Sequence, residues 1–342
     1  MNKIKTTKKF WAYIALFAVV LIWSLSPIVS NMKVVKSNYS PGMIIALRSV
    51  FATIALLLIN VKKLKKINKN YFKVAVPSGL ILATATLCQM IGYRYEAAPG
   101  ETAFLENVSV VIIPIFLFLF TRKKPSWMKI GAAVLCFVGS AIIALAGSKG
   151  NVFSVSLGKW LAIIAGVMYG VNIAVTGVFT KKLDLDSGLY VFIQLFIQSL
   201  AAFGYSIIGE KLLMAEGNVF QFTFQPLPLI TVAVLGIVAT GICWTLRTHC
   251  FKHINVMFVS IVMPFSSVLT GVWSIIGGME TLTWNLAVGG CIILMAILLA
   301  DLGDKLLEKH KLKKQAAELP LVEEVAITCE STKNIENKEN KE

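Results

Sequence analysis

The sequence predicts an all-α integral membrane protein whose ten transmembrane helices form two inverted five-helix repeats. The 342-residue chain is 56% hydrophobic and only 15% charged, whereas soluble domains have about one quarter charged residues. Apolar runs of about 20 residues, the length that crosses the hydrocarbon layer as a helix, recur along the chain. Lysine and arginine gather in alternate connections between these runs, as expected when the runs cross a membrane in turn.

Proline, glycine and polar residues divide the apolar sequence into ten predicted spans. The first run is too long for the core of a cleaved signal peptide and lacks a small-residue cleavage site, so we interpret it as a spanning helix. The predicted spans are 10–32, 41–61, 72–93, 99–120, 127–146, 157–180, 187–209, 229–249, 254–278 and 282–301.

The spans define four regions of the chain. Residues 1–9 are a predicted cytoplasmic N-terminus, 10–146 the first repeat and 157–301 the second repeat. Residues 302–342 are polar and are predicted to be a cytoplasmic, largely disordered tail.

The uneven distribution of lysine and arginine predicts the orientation of the bundle. Most of them lie on the side that holds both chain termini, and this count places Arg247 and Lys252 in the junction between the eighth and ninth spans. By the positive-inside rule, both termini are expected in the cytoplasm, and the protein is expected to be a multi-pass protein of the cell membrane.

Segments of the first half match segments of the second half at fixed offsets. The matching pairs are Trp23–Ser26 with Tyr169–Asn172, Arg48 with Gln194, and Leu80–Cys88 with Leu235–Cys243. Because each half holds an odd number of helices, the second half must enter the membrane from the opposite side. Inverted repeats of this kind are typical of transporters that bind a solute near the midplane.

Several short motifs, in their order along the chain, point to one family. They are Leu21-Ile22-Trp23-Ser24 with Pro27, Ala46-Leu47-Arg48, Thr102-Ala103-Phe104-Leu105 leading to Val111-Ile112-Ile113-Pro114, Met263-Pro264, and Gly278-Met279-Glu280-Thr281-Leu282-Thr283 followed by Gly289-Gly290. Together they resemble the EamA-type drug/metabolite transporters over roughly residues 10–301. The resemblance implies a ten-helix exporter-type fold. Substrates across the family span amino acids, cofactors, nucleotide precursors and sugars, so the resemblance implies no single ligand.

Two ionisable residues inside the spans are the leading candidates for substrate binding. Arg48 and Glu106 lie at similar depths in the second and fourth spans, where a charge costs about 2.5–3.5 kcal/mol on insertion scales. We expect them to pair with each other or to bind the charged ends of a solute. In an amino acid, Arg48 would bind the carboxylate and Glu106 the ammonium. A purely structural ion pair remains the alternative, and Glu106 is also the candidate for proton coupling.

Aromatic, amide and hydroxyl side chains near the middle of the spans complete the predicted substrate-binding site. The aromatic residues could form the walls of a cavity, and a buried amide or hydroxyl needs hydrogen-bond partners. These further candidates are Trp23, Ser26, Tyr169, Asn172, Gln194 and Trp244.

The leading functional prediction is a secondary transporter, an exporter of small metabolites such as amino acids or related compounds. The alternatives are a carrier of nucleotide-, sugar- or lipid-type metabolites, or a membrane-embedded enzyme. The sequence has no zinc-protease, nucleophile-elbow or P-loop motif, so we expect no enzymatic activity, no cofactor and no metal. The expected partners are a small-molecule substrate and membrane lipids but no nucleic acid, and a homodimer stays open.

Overall fold

In the computed structural model, nearly all described residues lie in helices. The structure describes residues 2–30, 32–95, 105–147, 157–210, 222–276, 284–285, 287–300 and 302. Apart from one isolated bridge between Tyr39 and Phe222, the named elements in these residues are helical. The predicted tail lies outside the described residues from residue 303 onward. Some predicted span ends and links also lie outside them, including the segments that contain Glu96, Glu101 and Glu280.

We number the apolar helical segments in chain order and use these labels throughout. They are α1 (Asn2–Ser30), α2 (Pro41–Asn60), α3 (Lys69–Tyr95), α4 (Val108–Thr121), α5 (Trp127–Gly147), α6 (Leu157–Lys182), α7 (Ser187–Gly209), α8 (Pro226–His253), α9 (Val256–Val262 continued by Phe265–Ile276) and α10 (Ala287–Ala300). Two short helical turns, Lys33–Lys36 and Val61–Lys66, flank α2.

Seven of these segments are long and apolar enough to cross a membrane. They are α1, α2, α3, α6, α7, α8 and α9, whereas the described apolar parts of α4, α5 and α10 are shorter. Large apolar side chains such as Leu58 and Ile59 are exposed, which suits a lipid environment better than water. An all-α membrane protein is therefore confirmed, while the count of ten spans and their arrangement as inverted repeats stay predictions.

Helices from the two halves of the chain pack between one another. The first helix, α1, packs on α8 and α9, and α6 packs on α3 and α4. The central contacts join α2 to α7 and α8, and α3 to α7. The middle of the bundle is therefore built from both halves, and neither half could form it alone.

A π-helical stretch inside α8, Leu235–Ile242, faces α2 and α1. Such stretches interrupt the regular hydrogen-bond ladder of a helix and are frequent at functional sites. Within it, the Ala239 carbonyl accepts a hydrogen bond of 2.7 Å from the indole of Trp23. Gly236 lies so close to α2 that a Cβ there would meet the Arg48 carbonyl oxygen at 2.6 Å. This close approach brings the polar residues of α8 against Arg48.

The start of α2 is tied to the end of α7 by a buried carboxylate. Glu210 accepts hydrogen bonds from the Gly42 amide at 2.8 Å and from the Ser206 hydroxyl at 3.0 Å. Its negative charge complements the positive end of the α2 dipole. The sequence places Glu210 in a polar link, and its capping of a distant helix is visible only in the fold.

Replacing Glu210 should test this connection between α7 and α2. Hydrogen bonds to a charged group each stabilise a fold by about 1.5–3 kcal/mol, so Glu210→Ala should lower the melting temperature of the purified protein clearly. Ser206→Ala, which removes one neutral donor to the carboxylate, should lower it less. Equal melting temperatures for Glu210→Ala and wild type would contradict a stabilising cap.

Candidate functional site

Arg48 of α2 is held in the bundle by hydroxyl groups. Its Nε and Nη2 donate to Thr240 Oγ1 at 3.3 and 3.2 Å. Its Nη1 donates to Ser30 Oγ at 3.2 Å, and Nη2 also donates to Ser26 Oγ at 3.3 Å. No carboxylate of the described residues forms an ion pair with it. The guanidinium charge is therefore surrounded by neutral oxygens from α1 and α8.

Glu106, two residues before α4, belongs to a different hydrogen-bonded chain. Its Oε2 accepts from Gln89 Nε2 at 2.6 Å, and Gln89 Oε1 accepts from the Tyr169 hydroxyl at 2.7 Å. This chain connects α3 and α6 to the start of α4. The predicted direct ion pair between Arg48 and Glu106 is not formed, because Arg48 faces α1 and α8 while Glu106 faces α3. Their joint contact with a solute stays a prediction.

The predicted wall residues share one apolar cluster. Trp244 is buried in it, and Trp23 and Tyr169 pack against it. The rings of Trp23 and Trp244 have centroids 5.6 Å apart. Tyr169 lies within electrostatic range of Arg48 and Glu106. The structure thus brings the three aromatic candidates into one cluster, with Tyr169 near both charged candidates.

Two other predicted residues, Asn172 and Gln194, are fully buried and share one partner. Their amide nitrogens approach the Ser78 hydroxyl at 3.1 and 2.7 Å, and the Tyr190 hydroxyl approaches it at 2.6 Å. This network joins α3, α6 and α7. Asn172 and Gln194 therefore hold three helices together, and their role toward a solute stays a prediction.

A second arginine lies buried within α8, at Arg247. The charge count places it in the junction between two spans, and the structure corrects this assignment because Arg247 is only 2% exposed. Its guanidinium carbon lies 3.8 Å from the Trp244 ring centroid, with Trp23 and Phe251 at 5.7 and 5.5 Å. Its Nη2 donates a long hydrogen bond of 3.4 Å to Asn172 Oδ1.

Gln89, Ser78 and Arg247 are the residues that the sequence prediction misses. Leu80–Cys88 aligns with Leu235–Cys243 of the second half. When this alignment is continued by one residue, Gln89 lies opposite Trp244. That correspondence could have indicated Gln89, because Trp23 and Tyr169 are also aligned. The sequence contains no comparable signal for Ser78.

Comparison with known proteins gives one family and one fold. Residues 10–145 match the model of the EamA-like transporter family, which confirms the resemblance over this part of the chain. A solved structure titled only "Crystal structure of protein" is 15% identical, with a TM-score of 0.68 over 86% of this chain and 98% of that chain. At this identity the likeness shows a shared fold alone. A search of curated proteins finds no match.

Ser78→Ala should reveal the structural share of the buried network. It removes a hydroxyl that three buried side chains contact, and an unsatisfied buried polar group costs about 1–3 kcal/mol. We therefore expect a clear fall in melting temperature. Thr84→Ala is the matched control, because the exposed Thr84 hydroxyl bonds only the Leu80 carbonyl of its own helix. Equal effects of the two substitutions would contradict the role of Ser78.

Proposed function

Because residues 10–145 match the EamA-like transporter family, we propose that the protein is a secondary transporter of small organic solutes. Amino acids or related compounds are the proposed substrates, and net export by alternating access is the proposed mechanism. The cell membrane is the proposed location, with both termini in the cytoplasm. The observation that supports this most is Arg48, a cation inside the bundle whose partners among the described residues are all hydroxyls.

The geometry around Arg48 suits a site that exchanges partners. Its four hydrogen bonds measure 3.2 to 3.3 Å, longer than the usual 2.9–3.0 Å. A carboxylate would form shorter, charge-assisted and bidentate hydrogen bonds with the same nitrogens. The hydroxyls would then orient the guanidinium when the site is empty, and a solute carboxylate would displace some of them when it binds.

Glu106 and the aromatic residues complete the proposed solute site. The Glu106 carboxylate, positioned by Gln89, would bind the ammonium of an amino acid. Trp23 and Trp244, which pack on one another, would contact its apolar side chain. If transport is coupled to protons, Glu106 is the residue through which we propose the coupling.

The packing of the helices supports the proposed inverted repeat. The proposed repeat relates α1, α2, α3 and α4 to α6, α7, α8 and α9, in that order. Under this relation each central contact has a counterpart. The α1–α8 contact corresponds to the α6–α3 contact, and the α2–α8 contact corresponds to the α7–α3 contact. The contact of Trp23 with Trp244 likewise corresponds to that of Tyr169 with Gln89. Two such halves could rock about a solute at their interface.

The charged contacts at one end of the bundle suit a gate in this mechanism. Asp186 caps the start of α7, where its carboxylate accepts hydrogen bonds from the Gly188 and Leu189 amides. The same carboxylate forms an ion pair with Lys63 Nζ at 3.1 Å. Burial alone would raise the pKa of Asp186, but the hydrogen bonds from Lys63 and these amides outweigh it and hold the pKa below its usual range. Because both sides of the Lys63–Asp186 pair are partly exposed, it could break and form again as access alternates.

A ligand-dependent melting experiment tests the proposed substrate class. At 100 times its dissociation constant, a ligand adds about 2.7 kcal/mol to the stability of the folded state. We expect one or more amino acids to raise the melting temperature of wild type, and Arg48→Gln to reduce this shift strongly. Lys252→Gln is the control variant, because it removes a charge that pairs with the exposed Asp184. It should keep the wild-type shift in melting temperature. If only nucleosides, sugars or lipids stabilise the protein, the proposed transporter function stands, but the proposed role of Arg48 is contradicted.

A further inference from the structure

We propose that Arg247 is a second substrate-binding residue, which binds a carboxylate on the other side of the Trp23–Trp244 pair from Arg48. The inference rests on the proposed transport function and narrows its substrate class. The carboxylate becomes the group that the solute must have, and the ammonium becomes dispensable. Organic acids with an apolar or aromatic body would then be substrates alongside amino acids.

No described residue neutralises the buried charge of Arg247. A guanidinium has five N–H donors, and among the described residues Arg247 has one hydrogen-bond partner, Asn172, through a long bond. Its Nε is buried with no hydrogen-bond partner. Among the described residues, no carboxylate forms an ion pair with it. A buried ion without a counter-ion is strongly unfavourable, so a bound anion would complete this site.

The guanidinium of Arg247 stacks on an aromatic ring. It lies 3.8 Å from the ring centroid of Trp244, and stacking on an aromatic face is a preferred arrangement for arginine. This contact stabilises the cation without using its N–H groups. The N–H donors at the guanidinium edge are not used by this contact, and their arrangement matches the two oxygens of a carboxylate. The other groups in electrostatic range, Tyr190 and Tyr169, are phenols and supply no compensating negative charge.

Arg247 lies further along α8 than the part of this helix that contacts Arg48. Thr240, which contacts Arg48, lies seven residues before Arg247 on α8. At 1.5 Å per residue this places Arg247 about 10 Å further along the helix. Trp244 lies between them, packed on Trp23. The two arginines therefore flank the aromatic pair, as expected for two carboxylate positions that a solute occupies in turn.

The internal repeat argues against a purely packing role for Arg247. Leu80–Cys88 aligns with Leu235–Cys243 at a fixed offset. When this alignment is continued toward the C-terminus, Gly92 lies opposite Arg247. The corresponding helix of the first half thus has a glycine at this position. The helix of the first half packs with a glycine at this position, so the repeated arrangement does not itself require an arginine there. The charge occurs in the second half alone.

Three related probes separate the carboxylate from the ammonium. L-phenylalanine has both groups, phenylpyruvate has only the carboxylate and phenethylamine only the ammonium. Their effect on the melting temperature would be measured for purified wild type, Arg247→Gln, Arg48→Gln and the control Lys252→Gln. We expect both acids to stabilise wild type and Lys252→Gln, and phenethylamine to have no effect. Arg247→Gln should bind the acids at least about tenfold more weakly, as expected for the loss of a charged hydrogen bond.

A second measurement keeps the test independent of misfolding. Without any probe, Arg247→Met should melt at or above the wild-type temperature, because it removes an uncompensated buried charge. A clear fall would indicate a structural cation and overturn the proposal, as would stabilisation by phenethylamine that equals that by the acids. If Arg247→Gln responds to the acids like wild type while Arg48→Gln does not, this inference fails and the proposed function stands. If neither acid stabilises wild type, the inference and the proposed amino acid substrates fail together.

Discussion

The contact between Arg48 and Thr240 is the interaction on which the rest of the proposed site depends. It joins α2 of the first half to α8 of the second, and Ser26 and Ser30 of α1 complete it. Gly236 lets the backbones of α2 and α8 approach closely beside this contact. Hydroxyls can orient a guanidinium but cannot neutralise it, so a positive charge persists in the membrane interior. Such a charge is costly, and a bound solute carboxylate would offset the cost.

Much of the fold could be predicted because hydropathy and helix-start signals are local properties of the sequence. Pro41 begins α2 and Asp186 caps α7, both where the spans are expected to begin. Arg48 could be identified because an intramembrane charge needs a reason wherever it lies. Ser78 and Gln89 could not, since a serine or glutamine in an apolar run looks the same whether it faces lipid, its own backbone or another helix. Only tertiary packing decides which of these it does.

The two errors about charged residues have related physical causes. Equal depth makes a pair of Arg48 and Glu106 one of the two expected arrangements, but depth does not fix the rotation of a helix, and the two side chains face different neighbours. Arg247 follows an apolar run and precedes Lys252, so a charge count assigns it to a link. The structure extends α8 to His253 and covers Arg247 with Trp23 from α1 and with Phe251 from its own helix. A residue near the end of a span is thus ambiguous until its neighbours are known.

The most direct test of a secondary transporter is solute counterflow in proteoliposomes. Vesicles that hold purified protein would be loaded with the unlabelled amino acid that stabilises it most, and uptake of the labelled compound from a dilute outside solution would be followed. A carrier predicts transient accumulation of label above the equilibrium level, and uptake that saturates with concentration. Uptake that rises linearly without accumulation, or that equals the uptake by protein-free vesicles, would contradict the account.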